Sequence, residues 1–326
     1  MDFRTKIDIP VSGFSITHRS SLMLFGSCFA ENIGLLLEEN KFSVNVNPFG
    51  ILYNPSSISA VMRRIMGGKA FTENDLFHHN GLYSSFMHHG DYSAPTVEES
   101  LSKINSSLIN ASQDLLRADI LIITFGTAYV YMLKENGNVV SNCHKLPAAV
   151  FDRKRLTVED ISADWDLLIR QIRELNPAAK ILFTVSPIRH WKDGAHENQL
   201  SKSTLLLAIE NLQLLFDNVF YFPSYEIMMD ELRDYRFYAE DMVHPSFAAV
   251  RYIWECFDRT YFDDETRSVI KQWKSIAQAL KHRPFNEHTE GHKQFLRQTL
   301  LKLEEFQKNY CYLNCTKEIN YLRNQL

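Results

Sequence analysis

Short apolar runs alternate with longer amphipathic stretches along residues 20–262 of this chain. Each run is bounded by glycine or polar turn residues, which is typical of strands buried in a parallel sheet. Apolar residues in the stretches between them recur at i, i+3 and i+4, the spacing of one helix face. The predicted strands are 22–25, 42–46, 119–125, 180–185 and 219–222, and the predicted helices are 30–41, 56–66, 96–117, 158–175 and 198–216. This repeated order predicts an α/β fold built on a doubly wound parallel sheet.

Two segments break this alternation. Residues 69–96 show no clean period, which predicts a long excursion over the sheet that forms one wall of a site. Residues 129–133 and 139–141 flank a turn, which predicts a hairpin inserted after the 119–125 strand. We expect this hairpin to shape a pocket. Ser56 and Ser57 are expected to cap the 56–66 helix.

The chain changes character after Asp263. Residues 264–282, 289–309 and 315–325 are charged and helical in pattern, and no strand is predicted among them. We therefore divide the chain into an α/β domain at 1–263 and a helical C-terminal extension at 264–326. The extension either packs on the domain or pairs with a second copy to form a homodimer, and the pattern favours neither.

Composition narrows the class of protein. The chain has 326 residues, 45% of them hydrophobic, and a net charge of −4, which argues against a nucleic-acid or polybasic membrane-binding protein. No apolar run approaches the roughly 18 residues of a membrane span, and the N-terminus lacks the apolar segment of a secretory signal. Five cysteines without CxxC spacing indicate free thiols, so we expect a soluble cytoplasmic protein.

The turn Gly26-Ser27-Cys28 joins the first predicted strand to the first predicted helix. This position surrounds a side chain with unpaired backbone N–H groups and the positive end of a helix dipole. Ser27 there is either a nucleophile, if a base reaches it, or simply an N-cap worth about 1 kcal/mol. Cys28 is a second candidate nucleophile, because a helix N-terminus lowers the pKa of a thiol.

Asp241 and His244 form the second informative motif. Three residues apart, they are expected to lie on one face of a single turn, where the carboxylate can hold one imidazole nitrogen and leave the other free. Pro245 is expected at the first position of the following helix. Alone, the motif favours a capped helix start with a surface ion pair. Together with Ser27 at the same predicted edge of the sheet, it favours a Ser-His-Asp site.

Other polar residues are expected at that edge, where parallel sheets bind ligands. They comprise Gly50, Gly126, Thr127, Arg189 and His190. Arg189 and His190 are candidates for binding an anionic or acyl-carrier substrate, or else are solvated loop residues. The pairs His78-His79 and His88-His89, and Cys143 with His144, match no metal-ligand spacing. No glycine cluster forms a phosphate or dinucleotide fingerprint, so no metal or cofactor is expected.

The string Gly26-Ser27-Cys28-Phe29-Ala30 resembles the signature of the GSCFA family, a branch similar to the SGNH (GDSL-like) hydrolases. Further similar blocks are 47–50, 142–145 and 241–244. The resemblance implies a three-layer α/β/α fold of flavodoxin-like type, with Ser27 as nucleophile, His244 as base and Asp241 orienting it. Two features depart from the SGNH pattern: no Asp precedes Ser27, and the strand expected to supply an oxyanion-hole Asn ends in Gly126-Thr127-Ala128. The oxyanion donors are then expected among Ser27 or Cys28, Gly50, and a side chain of Thr127 or Asn142, with His144 nearby.

Three functions follow from these observations. The first is a metal-independent serine esterase that acts on a small acyl group on an oxygen ester, with a small molecule or a saccharide as the alcohol. The second is an O-acyltransferase that uses a carrier such as coenzyme A. The third is a degenerate hydrolase fold kept as a binding or assembly module.

Overall fold

A five-stranded parallel sheet forms the centre of the molecule. The structure, a computed structural model, describes residues 4–282, 284, 286 and 289–326. In chain order its strands are β1 (Ser21–Phe25), β2 (Ser43–Val46), β3 (Phe77–His79), β4 (Leu82–Ser84), β5 (Ile120–Phe125), β6 (Tyr129–Leu133), β7 (Val139–Val140), β8 (Phe151–Arg155), β9 (Lys180–Val185) and β10 (Val219–Phe222). The central sheet has the order β2-β1-β5-β9-β10, with every pair parallel. The predicted doubly wound sheet is confirmed, and its winding reverses between β1 and β5.

Helices cover both faces of this sheet. They are α1 (Cys28–Glu39), α2 (Pro55–Gly67), α3 (Val97–Arg117), α4 (Val158–Leu175), α5 (Gly194–Leu215), α6 (Ser224–Glu226), α7 (Phe247–Tyr261), α8 (Asp264–Leu280), α9 (Glu290–Asn309) and α10 (Thr316–Gln325). Alternate residues of a strand point to opposite faces, so Met23 and Phe25 join the core under α2 to α5, whereas Leu22 and Leu24 join the core under α1 and α7. The result is the expected three-layer α/β/α arrangement.

Our expectation was right for the N-cap of α1 and wrong for the N-cap of α2. Ser27 is the N-cap of α1. The cap of α2 is Asn54, whose Oδ1 accepts from the Ser57 N–H at 2.8 Å, with Pro55 at the first helical position. The expectation that Ser56 and Ser57 cap this helix was wrong, because both lie inside its first turn.

Two insertions interrupt the doubly wound order. Residues 69–96 contain the β3–β4 hairpin between two single 3₁₀ turns. The predicted hairpin is present as β6 and β7, but β8 adds a third antiparallel strand to it along the whole of β6. The β8 sequence, Phe-Asp-Arg-Lys-Arg, is too polar to predict a strand from its pattern.

The C-terminal helices pack on the α/β domain beside the end of α1. Trp273 on α8 donates its indole N–H to the carbonyl oxygen of Glu39 at 2.6 Å. Lys41 lies 4.6 Å from the centre of the Trp273 ring and forms an ion pair with Glu318 at 2.6 Å. Within the described residues, no helix has the length and the apolar content that crossing a bilayer requires.

Candidate functional site

Ser27 stands where β1 ends and α1 begins, at the winding reversal of the sheet. Its side chain is 2% exposed and caps α1 by accepting from the Phe29 N–H at 3.3 Å. The same hydroxyl donates to Ser186 Oγ at 3.2 Å. Ser27 is therefore an N-cap, as the simpler interpretation held, and is also held beside the end of β9.

A buried lysine joins the strand ends next to Ser27. Lys202, on α5, is fully buried, and its Nζ donates to the carbonyl oxygens of Gly126 and Ser186 at 2.7 Å each. Burial lowers the pKa of Lys202 to about 7, since the charged ammonium is removed from water. These two bonds tie the end of β5 to the end of β9, which places Ser186 against Ser27.

Asp241 and His244 form the expected contact. Asp241 Oδ2 lies 2.5 Å from His244 Nδ1, and Asp241 Oδ1 accepts from the backbone N–H groups of His244 and Val243 at 2.9 and 3.0 Å. The two backbone N–H groups, followed by the imidazole, lower the pKa of Asp241 to about 2. The carboxylate thus stays ionised and directs the other imidazole nitrogen, Nε2, away from itself.

The helix that follows begins later than expected. Ser246 caps α7, and Pro245 forms an isolated bridge with Tyr238 instead of occupying the first helical position. His244 therefore lies in a loop, with its side chain 49% exposed. Arg189 supports this loop by donating to the carbonyl oxygen of Met242 at 2.6 Å.

Ser27 and His244 border the same cavity, which has a volume of about 560 Å³. Of the other predicted site residues, its lining includes Cys28, Thr127, Asn142, Arg189 and His190. Among the described residues, the Ser27 hydroxyl donates to Ser186 and not to His244. The structure thus brings the two predicted motifs, more than 200 positions apart in the sequence, to one cavity without joining them by a hydrogen bond.

Four predicted residues lie outside the cavity lining: Asp241, which contacts His244, and Gly50, Gly126 and His144. The Gly50 N–H donates to the carbonyl oxygen of Asn47 at 2.7 Å, and the Gly126 N–H donates to that of Tyr53 at 2.8 Å. His144 turns away, with its Nε2 2.9 Å from the carbonyl oxygen of Ser85. Because both glycine N–H groups already have acceptors, the expectation of an oxyanion donor at Gly50 does not fit this structure.

Three further expectations, on Thr127, Cys28 and residues 69–96, do not fit the structure. The Thr127 hydroxyl pairs with Ser201 Oγ at 3.1 Å, and its N–H donates to the Tyr53 carbonyl oxygen at 2.9 Å. Burial raises the pKa of the Cys28 thiol despite its place at a helix N-terminus, so the structure does not favour a thiolate there. Residues 69–96 do not border the cavity; Phe86 instead accepts the Ser141 and Asn142 N–H groups from behind.

His190 lies inside the cavity, near the strand end that Lys202 holds. Its backbone N–H donates to Asn198 Oδ1 at 2.9 Å, and its ring meets Tyr53 edge-on. Burial lowers the pKa of His190 to about 3, helped by the positive charges of Lys202 and Arg153. The imidazole is therefore neutral at physiological pH.

Two histidines outside the cavity, His88 and His78, contact aromatic side chains. His88 is fully buried, stacks on Phe49 and contacts Ser85 Oγ through Nδ1 at 3.1 Å. His78 contacts Tyr83 in the β3–β4 hairpin, with the two rings tilted at 45°. Across the part of the chain that the structure describes, no three His, Cys, Asp or Glu side chains are grouped to hold a metal ion.

Sequence reasoning missed several residues of the cavity lining. They include Tyr53, Asn54, Arg153 and Trp191, whereas Tyr129 and Tyr131 lie on the hairpin that we expected to shape a pocket. Asn54 carried a usable signal, since Asn followed by Pro marks the start of a helix. The sequence carried no signal for Arg153, because this residue lies on β8 and the polar sequence of β8 does not predict a strand.

Comparisons with known proteins identify the two parts of the chain. The model of the GSCFA family matches residues 21–257. A second model, described as the C-terminal domain of GSCFA domain proteins, matches residues 273–326. No curated protein matches the chain.

Proposed function

Because the chain belongs to the GSCFA family, we propose that it is a serine hydrolase of SGNH type that cleaves an oxygen ester at Ser27. One observation carries the proposal. A buried serine at a helix N-terminus borders the same cavity as an imidazole whose far nitrogen is directed by a carboxylate. Serine, imidazole and carboxylate in that relation are the parts of a nucleophilic site.

The first step is attack of Ser27 Oγ on the ester carbonyl carbon. His244 Nε2 takes the hydroxyl proton, and Asp241 stabilises the imidazolium through Nδ1. For this to occur, the Ser27 hydroxyl exchanges its bond to Ser186 for one to His244. This exchange involves a rotation of the Ser27 side chain and a movement of the exposed loop that carries His244.

The second requirement is stabilisation of the oxyanion. The Cys28 N–H opens helix α1, at the positive end of the helix dipole and beside the nucleophile. Asn54 supplies a second donor: the Ser57 N–H holds its Oδ1, which leaves its Nδ2 group as the part that can meet a ligand. We assign Asn54 the place expected of the missing SGNH asparagine.

The remaining steps release the alcohol, form an acyl-enzyme at Ser27 and then hydrolyse it. His244 gives its proton to the alcohol oxygen as the ester C–O bond breaks, which leaves the acyl group on Ser27. A water molecule then attacks the acyl-Ser27 carbonyl while His244 takes its proton, and His244 returns that proton to Ser27 Oγ as the bond to the acyl group breaks and the acid leaves. An acceptor alcohol in place of water gives O-acyltransfer by the same steps. Product analysis with and without added sugars separates hydrolysis from transfer.

Fluorophosphonate labelling tests this function. The probe reacts covalently with an activated serine, and peptide mass spectrometry locates the adduct. We expect an adduct on Ser27 in the wild type and none in Ser27→Ala or His244→Ala. Ser27→Ala should keep its free energy of unfolding within about 1 kcal/mol, since it loses one helix cap.

His78→Ala is the matched control, because His78 is an exposed histidine outside the cavity. It should label at the wild-type rate. If the folded wild type carries no serine adduct, the esterase is excluded. The binding module then becomes the better proposal, and the Ser27–Ser186 bond is the observation that favours it.

A further inference from the structure

One side of the cavity combines cationic and aromatic side chains. Strands β6 and β8 supply Tyr129, Tyr131 and Arg153, and the single turn before α5 supplies Trp191 and Lys192. We call these five residues the basic aromatic wall. The wall belongs to the inserted sheet and the turn beside it, not to the elements that carry Ser27 and His244.

The cations of the wall are held on the aromatic rings. The Arg153 guanidinium lies 4.0 Å from the centre of the Tyr129 ring and forms an ion pair with Asp193. Lys192 Nζ donates to the Tyr131 hydroxyl at 3.0 Å. Each cation has further N–H groups beyond these bonds, since a guanidinium carries five and an ammonium three.

Formal charges of the lining favour an anion. Arg153, Arg189 and Lys192 face one carboxylate, Asp193, so the charged lining residues sum to +2. The charged groups that act on the buried imidazole of His190 are Lys202, Arg153 and His244, all of which carry positive charge when ionised. Among these groups, Arg153 and His244 themselves border the cavity.

The wall lies apart from the residues that carry the proposed reaction. Ser27 begins α1 and His244 lies in the loop before α7, whereas Arg153 lies on β8 and Lys192 in the turn before α5. All four residues border the same cavity. A substrate with its ester carbonyl at Ser27 can therefore extend to the cations of the wall.

We propose that the basic aromatic wall binds a ring that carries a negative charge, so that the substrate acted on at Ser27 is anionic in the portion that reaches the wall. Trp191, with 54% of its surface exposed, provides a face on which a ring can stack. The volume of the cavity is in the range that encloses a drug-sized ligand. This inference rests on the proposed function for the reaction at Ser27. The binding of the anion depends on the wall alone.

Two sources share this chemistry: an acidic sugar, and the nucleotide end of an acyl carrier. Binding is measured on Ser27→Ala, which cannot turn over, by titration of tryptophan fluorescence or by NMR. The probes are glucuronic acid and glucose 6-phosphate with glucose as their neutral partner, and adenosine 3′,5′-bisphosphate with adenosine as its partner. We expect one charged member to bind about tenfold or more tighter than its neutral partner, with affinity falling as salt rises.

Charge reversal on the wall tests the location. Lys192→Glu should weaken binding of the charged probe by about fivefold or more, since it replaces an attraction by a repulsion at an exposed site. Lys134→Glu is the matched control, because Lys134 lies at the end of β6, is exposed and is outside the cavity lining. It makes the same change in net charge and should leave affinity within twofold.

The outcomes separate the two proposals. Preference for the sugar acids identifies an acidic saccharide ester, and preference for the bisphosphate identifies a carrier. Equal binding of charged and neutral partners overturns the anion site, as does an equal effect of Lys192→Glu and Lys134→Glu. Anion binding without fluorophosphonate labelling of Ser27 would keep the site and remove the esterase; labelling without anion binding would do the opposite.

Discussion

Asn54 both caps helix α2 and borders the cavity. Its Oδ1 must accept the Ser57 N–H to begin α2, because that backbone donor has no partner inside the helix. The residue is 6% exposed and borders the cavity. Because the cap uses Oδ1, the proposed oxyanion donor is the Nδ2 group of the same amide.

A substitution that keeps the cap and removes the donor tests this assignment. Asn54→Ser retains an oxygen that caps α2, so the melting temperature should stay close to that of the wild type. Loss of one oxyanion donor should lower kcat by about 10² to 10³-fold with little change in KM. The measurement is steady-state hydrolysis of a nitrophenyl ester, together with thermal unfolding.

Asn54→Asp tests independently whether the charge at this position changes the rate in the expected direction. It keeps the cap and adds a negative charge where the oxyanion forms, so it should be at least as slow as Asn54→Ser. A kcat within threefold of the wild type in both variants would remove Asn54 from the site.

Helix α1 carries the nucleophile, and one glycine sets how closely the helix approaches the sheet. A Cβ placed at Gly34 would lie 2.5 Å from Val46 Cγ2 and 2.7 Å from its Cγ1, on the edge strand β2. Only a residue without a Cβ allows this approach. The contact fixes the distance between α1 and the sheet, and through it the position of Ser27 at the start of the helix.

Gly34→Ala should therefore destabilise the protein, although alanine favours helices over glycine by about 1 kcal/mol. We expect a net loss of about 1–3 kcal/mol in the free energy of unfolding, because the strand and helix must separate. Adding Val46→Ala removes the clash, so the double variant should lose less than the sum of the two single variants. Chemical denaturation of the four proteins measures this, and additive effects would show that the contact does not limit the packing.

The C-terminal helices extend the core without reaching the site. Their own cluster, which includes Trp273, Leu303 and Phe306, packs next to the end of α1. None of the described residues in 264–326 borders the cavity. Packing on the domain is thus the arrangement observed within one chain, and a homodimer through these helices stays a prediction.

Acid should destabilise the whole molecule through its buried histidines. Burial lowers the pKa of His88 to about 3 from an ordinary value of 6.5, so the unfolded chain binds the proton first. The stability that neutral His88 contributes is present above pH 6.5 and is lost as the pH falls from 6.5 toward 3. Within that window His88 alone should cost about 1.4 kcal/mol per pH unit.

His88→Phe measures this share, because it keeps an aromatic ring beside Phe49 and removes the titration. The slope of unfolding free energy against pH between 6 and 4 should become shallower by roughly that amount. His78→Phe, at an exposed histidine, serves as the control and should leave the slope unchanged. Identical slopes in all three proteins would mean that His88 is already neutral in both states or charged in both.

Most of the architecture was predictable because it depends on neighbours along the chain. Buried strands such as 119–125 and amphipathic helices reveal themselves by the period of their apolar residues. The polar strand β8 and the Asn54 cap were missed, the first because pairing with β6 stabilises it against its own composition. Asp241 and His244 were predictable as a contact for the same local reason, since they are three residues apart.

The sequence by itself thus determined the doubly wound sheet, the Ser27 turn at its edge and the Asp241–His244 pair. Only the tertiary structure decided that the Ser27 hydroxyl meets Ser186, which is 159 residues away. It likewise decided that the N–H groups of Gly126 and Thr127 are occupied by Tyr53, and that Arg153 faces the cavity. The physical reason is range: periodicity and turn chemistry are fixed within a few residues, whereas the partners of a site residue depend on how distant segments pack.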